Sequence, residues 1–223
     1  MPRIARVVVA EVPYHVTQRG NYRQNIFEDD EDRAKYMELF MEYKEKHGLK
    51  LYAWCLMDNH VHFVIEPSTE KTLGLVFNGV NMRYSQYFNR KRGAYGHLWQ
   101  GRYFSCALDS DHVYEALRYV ELNPLRAGMI SKIDGYKWSS AKMRITGKGK
   151  FPLDDVSAYV EIENWRAYLK EKAADEVLLS IRNCTKTGRP LGGAKFIKKI
   201  ERLSGRTISF QKKGRPKKIK LDK

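Results

Sequence analysis

Apolar and polar positions alternate from Val12 to Gln18, with Val12, Tyr14, Val16 and Gln18 on one side and Pro13, His15 and Thr17 on the other. Period two is the mark of a strand, and the pattern predicts one over Val7 to Arg19, ended by Gly20-Asn21. The period then changes. Asp29 to Asp32 supplies helix-start acids, and Tyr36, Leu39, Phe40 and Tyr43 fall at i, i+3, i+4 and i+7, a helical stripe that stops at Gly48. Two strands follow, Leu49 to Met57 and His60 to Glu66, joined at Asp58-Asn59 and closed by Pro67. Leu73, Val76, Phe77, Val80, Tyr84 and Tyr87 restore the helical period until Asn89 to Gly93 breaks it, and Gly101 to Leu108 reads as a fourth strand. Strand, helix, strand, strand, helix, strand is the order of an α+β, ferredoxin-like split βαβ fold. It predicts an antiparallel sheet with helices on one face and the first and third strands as central neighbours. A third helix begins at the capping residues Asp109-Ser110-Asp111 and buries Val113, Ala116, Leu117 and Val120. Pro124 disfavours helical geometry at Asn123, so this helix ends there.

The faces of these elements carry the candidate chemistry. His60 and His62 share one face of a strand, roughly 6 to 7 Å apart, while Val61, Phe63 and Ile65 anchor the other. Two imidazoles converging on one point make half of a metal site; the same spacing fits two half-buried histidines with ordinary hydrogen bonds. With the first and third strands adjacent, His15 and Thr17 lie beside the pair, His15 either supporting it or serving as a satisfied core histidine. Tyr119 sits at the edge of its helix stripe, about 110° from the centre. There a phenol either faces a neighbouring site or snorkels to solvent.

Charge changes the picture more than size does. The chain has 223 residues and a formal charge of +15, which points to a polyanionic partner, nucleic acid before membrane. From Arg182 to Lys223 there are fifteen Lys and Arg against two acids, so nearly all the excess lies in the last fifth. The expected organisation is a body over 1–145, a helical extension over 146–206 whose apolar positions include Phe196, Ile197, Ile200 and Leu203, and a basic tail over 207–223. In that tail Lys212, Lys213, Arg215, Lys217 and Lys218 flank a Gly-Arg-Pro of AT-hook type, suited either to a narrow minor groove or to nonspecific phosphate contact. Trp99, Arg102 and Tyr103 are candidates to stack on or clamp unpaired bases, with core packing as the alternative. Three widely spaced cysteines, Cys55, Cys106 and Cys184, read as reduced thiols. The apolar run Val7 to Ala10 is too short for a signal-peptide core or a membrane span. The expectation is a cytoplasmic, nucleoid-associated protein, a monomer or homodimer.

Six segments occur together in one order: Tyr14-His15-Val16-Thr17-Gln18-Arg19-Gly20-Asn21, His60-Val61-His62, Leu98-Trp99-Gln100-Gly101-Arg102-Tyr103, Arg118 to Pro124, Ala127-Gly128 and Trp138-Ser139-Ser140. Over about residues 3 to 145 the chain thereby resembles the REP-associated tyrosine transposases, relatives of the single-strand insertion-sequence transposases of the HUH class. Thr187 to Gly192 resembles C-terminal segments of the same family, and Ala141 stands where the family's Trp-Ser-Ser block usually ends in Tyr. The resemblance implies Tyr119 as nucleophile and His60, His62 and Asn123 as ligands of Mg²⁺ or Mn²⁺, Asn in the third place favouring the REP-associated branch. It implies cleavage and rejoining of single-stranded or hairpin DNA at REP-like repeats through a 5′-phosphotyrosine link. A repeat-DNA binding module without relevant catalysis is the rival reading. A phosphohydrolase of small nucleotides explains the histidines but not the basic tail.

Overall fold

In the computed structural model, which describes residues 7–171 and 174–208, Tyr14–Arg19 (β1), Leu49–Met57 (β2), His60–Pro67 (β3) and Phe104–Ala107 (β4) form one antiparallel sheet in the order β2-β3-β1-β4. The first and third strands are central, as the order of elements predicts. Asp30–His47 (α1) and Thr72–Arg92 (α2) cover one face. The Asp29 side chain caps α1 by accepting from Asp32 N at 2.9 Å, and Asp30, Glu31 and Asp32 occupy its first turn, where carboxylates complement the helix dipole. Gly48 ends α1 in the left-handed region at φ 63°. The two helices approach closely where Gly79 meets the Tyr43 ring; a Cβ there would lie 1.9 Å from Tyr43 Cε1.

The opposite face is covered too. Ser110–Glu121 (α3) packs there on β2 and β3, followed by Asn123–Arg126 (α4), Ala141–Thr146 (α5), Trp165–Lys170 (α6) and Asp175–Thr187 (α7), whereas Ala194–Ser204 (α8) adds Phe196 and Ile200 to the α1/α2 core. The helix α7, from the extension, lies against β4, β1 and α3. The segment 146–206 thus contributes to both faces, with Tyr168, Leu169 and Ile181 on the α3 side and Phe151 and Ile200 in the α1/α2 core. Strand parity sorts the side chains: Val61, Phe63 and Ile65 enter the α1/α2 core, and Val64 enters the α3 core beside the site occupied by His60 and His62. A register shift between Leu51 and Ala53 puts Tyr52 and Ala53 together on the α3 side, and alternation resumes with Trp54.

Both sheet edges are covered. Trp138-Ser139-Ser140 lies along β2, with Leu56 N donating to Trp138 O at 2.9 Å and Ser140 N to Trp54 O at 2.9 Å. On the β4 side Leu191 N donates to Ala107 O at 2.8 Å and Asp109 N to Leu191 O at 3.1 Å. Two short blocks thus close the open hydrogen-bonding rows of an otherwise exposed sheet.

Three expectations change. The strand over Val7 to Arg19 begins only at Tyr14: Pro13 has no N–H for a ladder, and Glu11 turns the chain at φ 56°. The fourth strand keeps Phe104–Ala107 of the predicted Gly101 to Leu108. The third helix stops at Glu121, and Asn123 opens α4 with Pro124 in its first turn, where a missing N–H costs nothing. The tail residues Lys212, Lys213, Arg215, Lys217 and Lys218 lie outside the described residues. Among the described residues no helix is long and apolar enough to cross a membrane.

Candidate active site

Antiparallel pairing sets Thr17 opposite His62 and Arg19 opposite His60 on the face that α3 and α7 cover. There the sheet, α3, α4 and α7 enclose a cleft of about 570 Å³ that His15, His60, His62, Tyr119 and Asn123 line together. The His60 and His62 ring centroids are 4.9 Å apart. Tyr119 is 5% exposed and turns its ring edge-on to His15 and His62, at 5.4 and 5.6 Å between centroids. The predicted edge position is thus a buried one, because α7 closes over that side of α3.

Hydrogen bonds fix which ring nitrogens are free. Asn59 Nδ2 donates to Arg23 O at 3.1 Å, so its Oδ1 faces His60 Nδ1 at 2.6 Å. An amide oxygen only accepts, so His60 carries its proton on Nδ1 and leaves a lone pair on Nε2. A longer relay does the same for His62. The Thr185 hydroxyl donates to Ile181 O at 2.7 Å and so accepts from His15 Nδ1, also at 2.7 Å. That leaves His15 Nε2 as an acceptor for His62 Nδ1 at 2.9 Å, and frees the lone pair of His62 Nε2. His15 is both buried with its two nitrogens paired and a direct support of His62, so the two readings of it merge.

Burial keeps all three rings neutral. It pulls His15 down to about 3, with the Arg126 charge adding to it, and His60 down to about 4, with Arg19 adding to it. His62 is held well below its ordinary value by burial and then by its histidine neighbours. A neutral imidazole is the ligand form. Asn123 Nδ2 donates to Tyr119 O at 3.0 Å, and carbonyls only accept, so Oδ1 is the atom Asn123 can offer elsewhere. Two imidazole nitrogens and an amide oxygen suit a divalent ion that keeps positions open for water and phosphate oxygens. Among the described residues no three His, Cys, Asp or Glu form a metal-holding group, so a third protein donor to such an ion would be of another type, as Asn123 is.

The cleft is cationic. Arg19, Arg23, Arg182 and Lys186 line it and, among the described residues, no carboxylate does. Arg182 Nε donates to the Tyr119 phenol oxygen at 3.4 Å, and the Arg126 guanidinium lies 4.5 Å from the Tyr119 ring centre while donating to the Tyr119 carbonyl. Positive charge therefore stands on two sides of the phenol.

Other predicted contacts fall elsewhere. Tyr103 is a core residue, 3% exposed and packed 4.8 Å from the Phe77 ring, which corrects its expected role as a base-stacking group. Trp99 is half-buried, its indole N–H donating to Asn81 O at 3.0 Å and its ring against Tyr36 and Tyr84. Arg102 is exposed and lies outside the cleft lining. Arg19 was available from strand parity, since it shares a face with His15 and Thr17. Arg182, Thr185 and Lys186 carried no local signal beyond opening the basic segment.

The family model described as "Transposase IS200 like" matches residues 8–123. A solved structure of a REP-associated tyrosine transposase bound to a REP hairpin aligns with a TM-score of 0.53 at 16% identity, covering 73% of this chain and 96% of that one. A second, of a proposed transposase from Deinococcus radiodurans R1, aligns with a TM-score of 0.38 at 17% identity, covering 57% of this chain and 92% of that one. Comparison with curated proteins gives no match. The family match spans more than half of the chain and takes in His15, His60, His62, Tyr119 and Asn123, and the chain belongs to the IS200-like transposase family.

Proposed function

We propose that this transposase is a metal-dependent single-stranded DNA endonuclease and strand transferase that acts on REP-like hairpins through a 5′-phosphotyrosine intermediate. The observation that carries the reading is Tyr119, held edge-on to His15 and His62 in a cleft that His60 and Asn123 also line and whose charged residues, among those described, are all cations. The structural likeness to a transposase bound to a REP hairpin supports the choice of substrate.

The chain's own groups divide the work. Arg19, Arg23, Arg182 and Lys186 draw a phosphodiester into the cleft. Nε2 of His60, Nε2 of His62 and Oδ1 of Asn123 would hold Mg²⁺ or Mn²⁺, which when bound supplies Lewis-acid polarisation of the scissile phosphate. Tyr119 gives up its proton to solvent or a neighbouring base, and its oxygen attacks phosphorus. The P–O3′ bond breaks, the 3′ oxygen leaves and takes up a proton, and the 5′ phosphate stays on Tyr119 as an ester. Attack of another 3′-hydroxyl reverses the exchange with no net cost in phosphodiester bonds. Arg182, beside the phenol oxygen, steadies the charge on that atom before attack and on its departure.

Tyr119→Phe tests this. The ring and its packing remain, while the only atom that can bond phosphorus is gone. With a 3′-labelled hairpin and Mg²⁺ or Mn²⁺, the wild type is expected to form a protein–DNA adduct that survives boiling in detergent. The variant should form none, at unchanged DNA affinity. Cleavage by Tyr119→Phe at the wild-type rate overturns the nucleophile. Absence of any wild-type adduct on hairpins from the gene's own flanks favours the repeat-DNA binding module.

A further inference from the structure

We infer that Tyr22 is a stacking platform for an unpaired base next to the phosphate in the cleft, an inference that rests on the single-stranded DNA reading above. Tyr22 lies in the short 3-10 turn Asn21–Arg23, between Arg19 and Arg23, which both line the cleft. Its side chain is 94% exposed, a large aromatic left in water where most tyrosines of this chain are packed. The backbone beneath it is strained: Tyr22 and Arg23 have φ of 49° and 61°, consecutive left-handed positions without a glycine. Such a conformation persists only when its surroundings over-determine it.

They do. Gly20 N donates to Asn59 O at 2.9 Å, Asn21 N to Leu98 O at 2.8 Å and Asn59 Nδ2 to Arg23 O at 3.1 Å. Gly20 lets the chain fold back this tightly, since a Cβ there would lie 2.3 Å from Gln24 O. The Asn59 amide that clasps the turn also orients His60 through its oxygen. Tyr22 is therefore presented on a rigid support tied to one side of the candidate metal site. A buried tyrosine would satisfy packing, and a solvated one needs no strained and clamped backbone. An exposed phenol ring on a clamped backbone beside a cationic cleft matches what an unpaired base requires: a flat π face next to a track for its phosphate. Paired bases stack on each other and offer no such face, so the partner is an unpaired nucleotide flanking a hairpin.

The experiment measures binding of the full chain to one hairpin in two forms, blunt and with unpaired flanks, for wild type, Tyr22→Ala and Tyr22→Phe. Tyr22→Ala is expected to bind the flanked hairpin about five- to a hundredfold more weakly, the span of one lost base stack, with the blunt hairpin and the thermal midpoint unchanged. Tyr22→Phe keeps the ring and should keep the affinity. Replacing the flanking bases one at a time by abasic sites should reproduce the loss at one position in the wild type and cost Tyr22→Ala nothing further there. Wild-type affinity of Tyr22→Ala for the flanked hairpin, or losses that add at every abasic position, overturn the platform alone. A wild-type chain that binds no hairpin DNA overturns the functional reading and the platform with it.

Discussion

The two faces of the sheet are made by alternate residues of the same strands and differ in what they tolerate. Toward α1 and α2, Val16, Phe63 and Ile65 meet Phe40, Phe77 and Tyr84, with the Phe40 and Phe63 rings stacked at 4.3 Å. Toward α3 and α7, the residues between them are His15, Thr17, His60 and His62, each with a named hydrogen-bond partner or a place in the cleft. One side of β3 is wholly apolar, while the other mixes Val64 with the two histidines that line the cleft. On the second face Val64, Cys106, Val113, Leu117 and Val120 form an apolar core of their own, and the neutral rings, the phenol and the cations lie beside it around the cleft.

The contrast breaks most severely on the dry side. Phe63→Ala deletes a fully buried ring and should cost about 3 to 5 kcal/mol, read as a lower urea midpoint. The cleavage rate per folded molecule should stay near that of the wild type. A rate per folded molecule as low as that of Tyr119→Phe would show that the two faces are not separable.

A smaller effect sharpens the polar side. Thr185→Val keeps the shape and removes the oxygen that accepts from His15 Nδ1, freeing the His15 proton to move to Nε2 and forcing His62 to carry its own on the nitrogen aimed at the cleft. Mn²⁺ affinity, followed by electron paramagnetic resonance with the hairpin bound, should fall about 10- to 100-fold, while Thr185→Ser should preserve it. Equal affinities for the two variants would remove Thr185 from the relay.

The smallest effect concerns pH. On the polar side, beyond the cleft, Ser140 Oγ donates to Glu121 Oε1 at 2.6 Å and Ser139 Oγ to Glu121 O at 3.3 Å, tying the end of α3 to the Trp-Ser-Ser block. Burial pushes the Glu121 carboxyl up to about 7, against the pull of Ser140 and Arg144. An unfolded chain gives up this proton near pH 4.3, so between there and pH 7 the folded state holds the extra proton. The contribution of Glu121 to stability therefore falls as pH rises through that window. The histidines act in the opposite sense: depressed in the fold, they lose stability as pH falls below about 6.5. Glu121→Gln mimics the protonated carboxyl, so its stability relative to the wild type should climb from pH 4.5 to 7 by about 1 to 3 kcal/mol. A difference that is flat with pH would mean that Glu121 ionises in the fold as it does in water.

Sheet, helices and their order were legible because burial imposes period two or 3.6 on any chain that forms them. His60, His62 and the α3 stripe followed directly. Alternation misled at Val7 to Pro13, where Val7, Val9 and Val12 are buried by the core without pairing in the sheet. Tyr103, for which the sequence left base stacking and core packing both open, turns inward onto Phe77. The cleft's far wall was illegible. His15 and Thr185 are 170 positions apart, and no local pattern announces that a threonine on a late helix will meet a histidine on the first strand.

That late helix has a consequence in time. The strands, Tyr119 and Asn123 are all synthesised before Arg182, Thr185 and Lys186, and at about 5 to 20 residues per second the intervening stretch of roughly 60 takes about 3 to 12 seconds. During that interval the nascent chain has Tyr119 without Arg182, one of its two neighbouring cations, and a His15 ring whose partner Thr185 has not yet been synthesised. Synthesis order thus postpones completion of the cleft until α7 is made, and a ribosome that stalls before α7 leaves a fragment without its far wall.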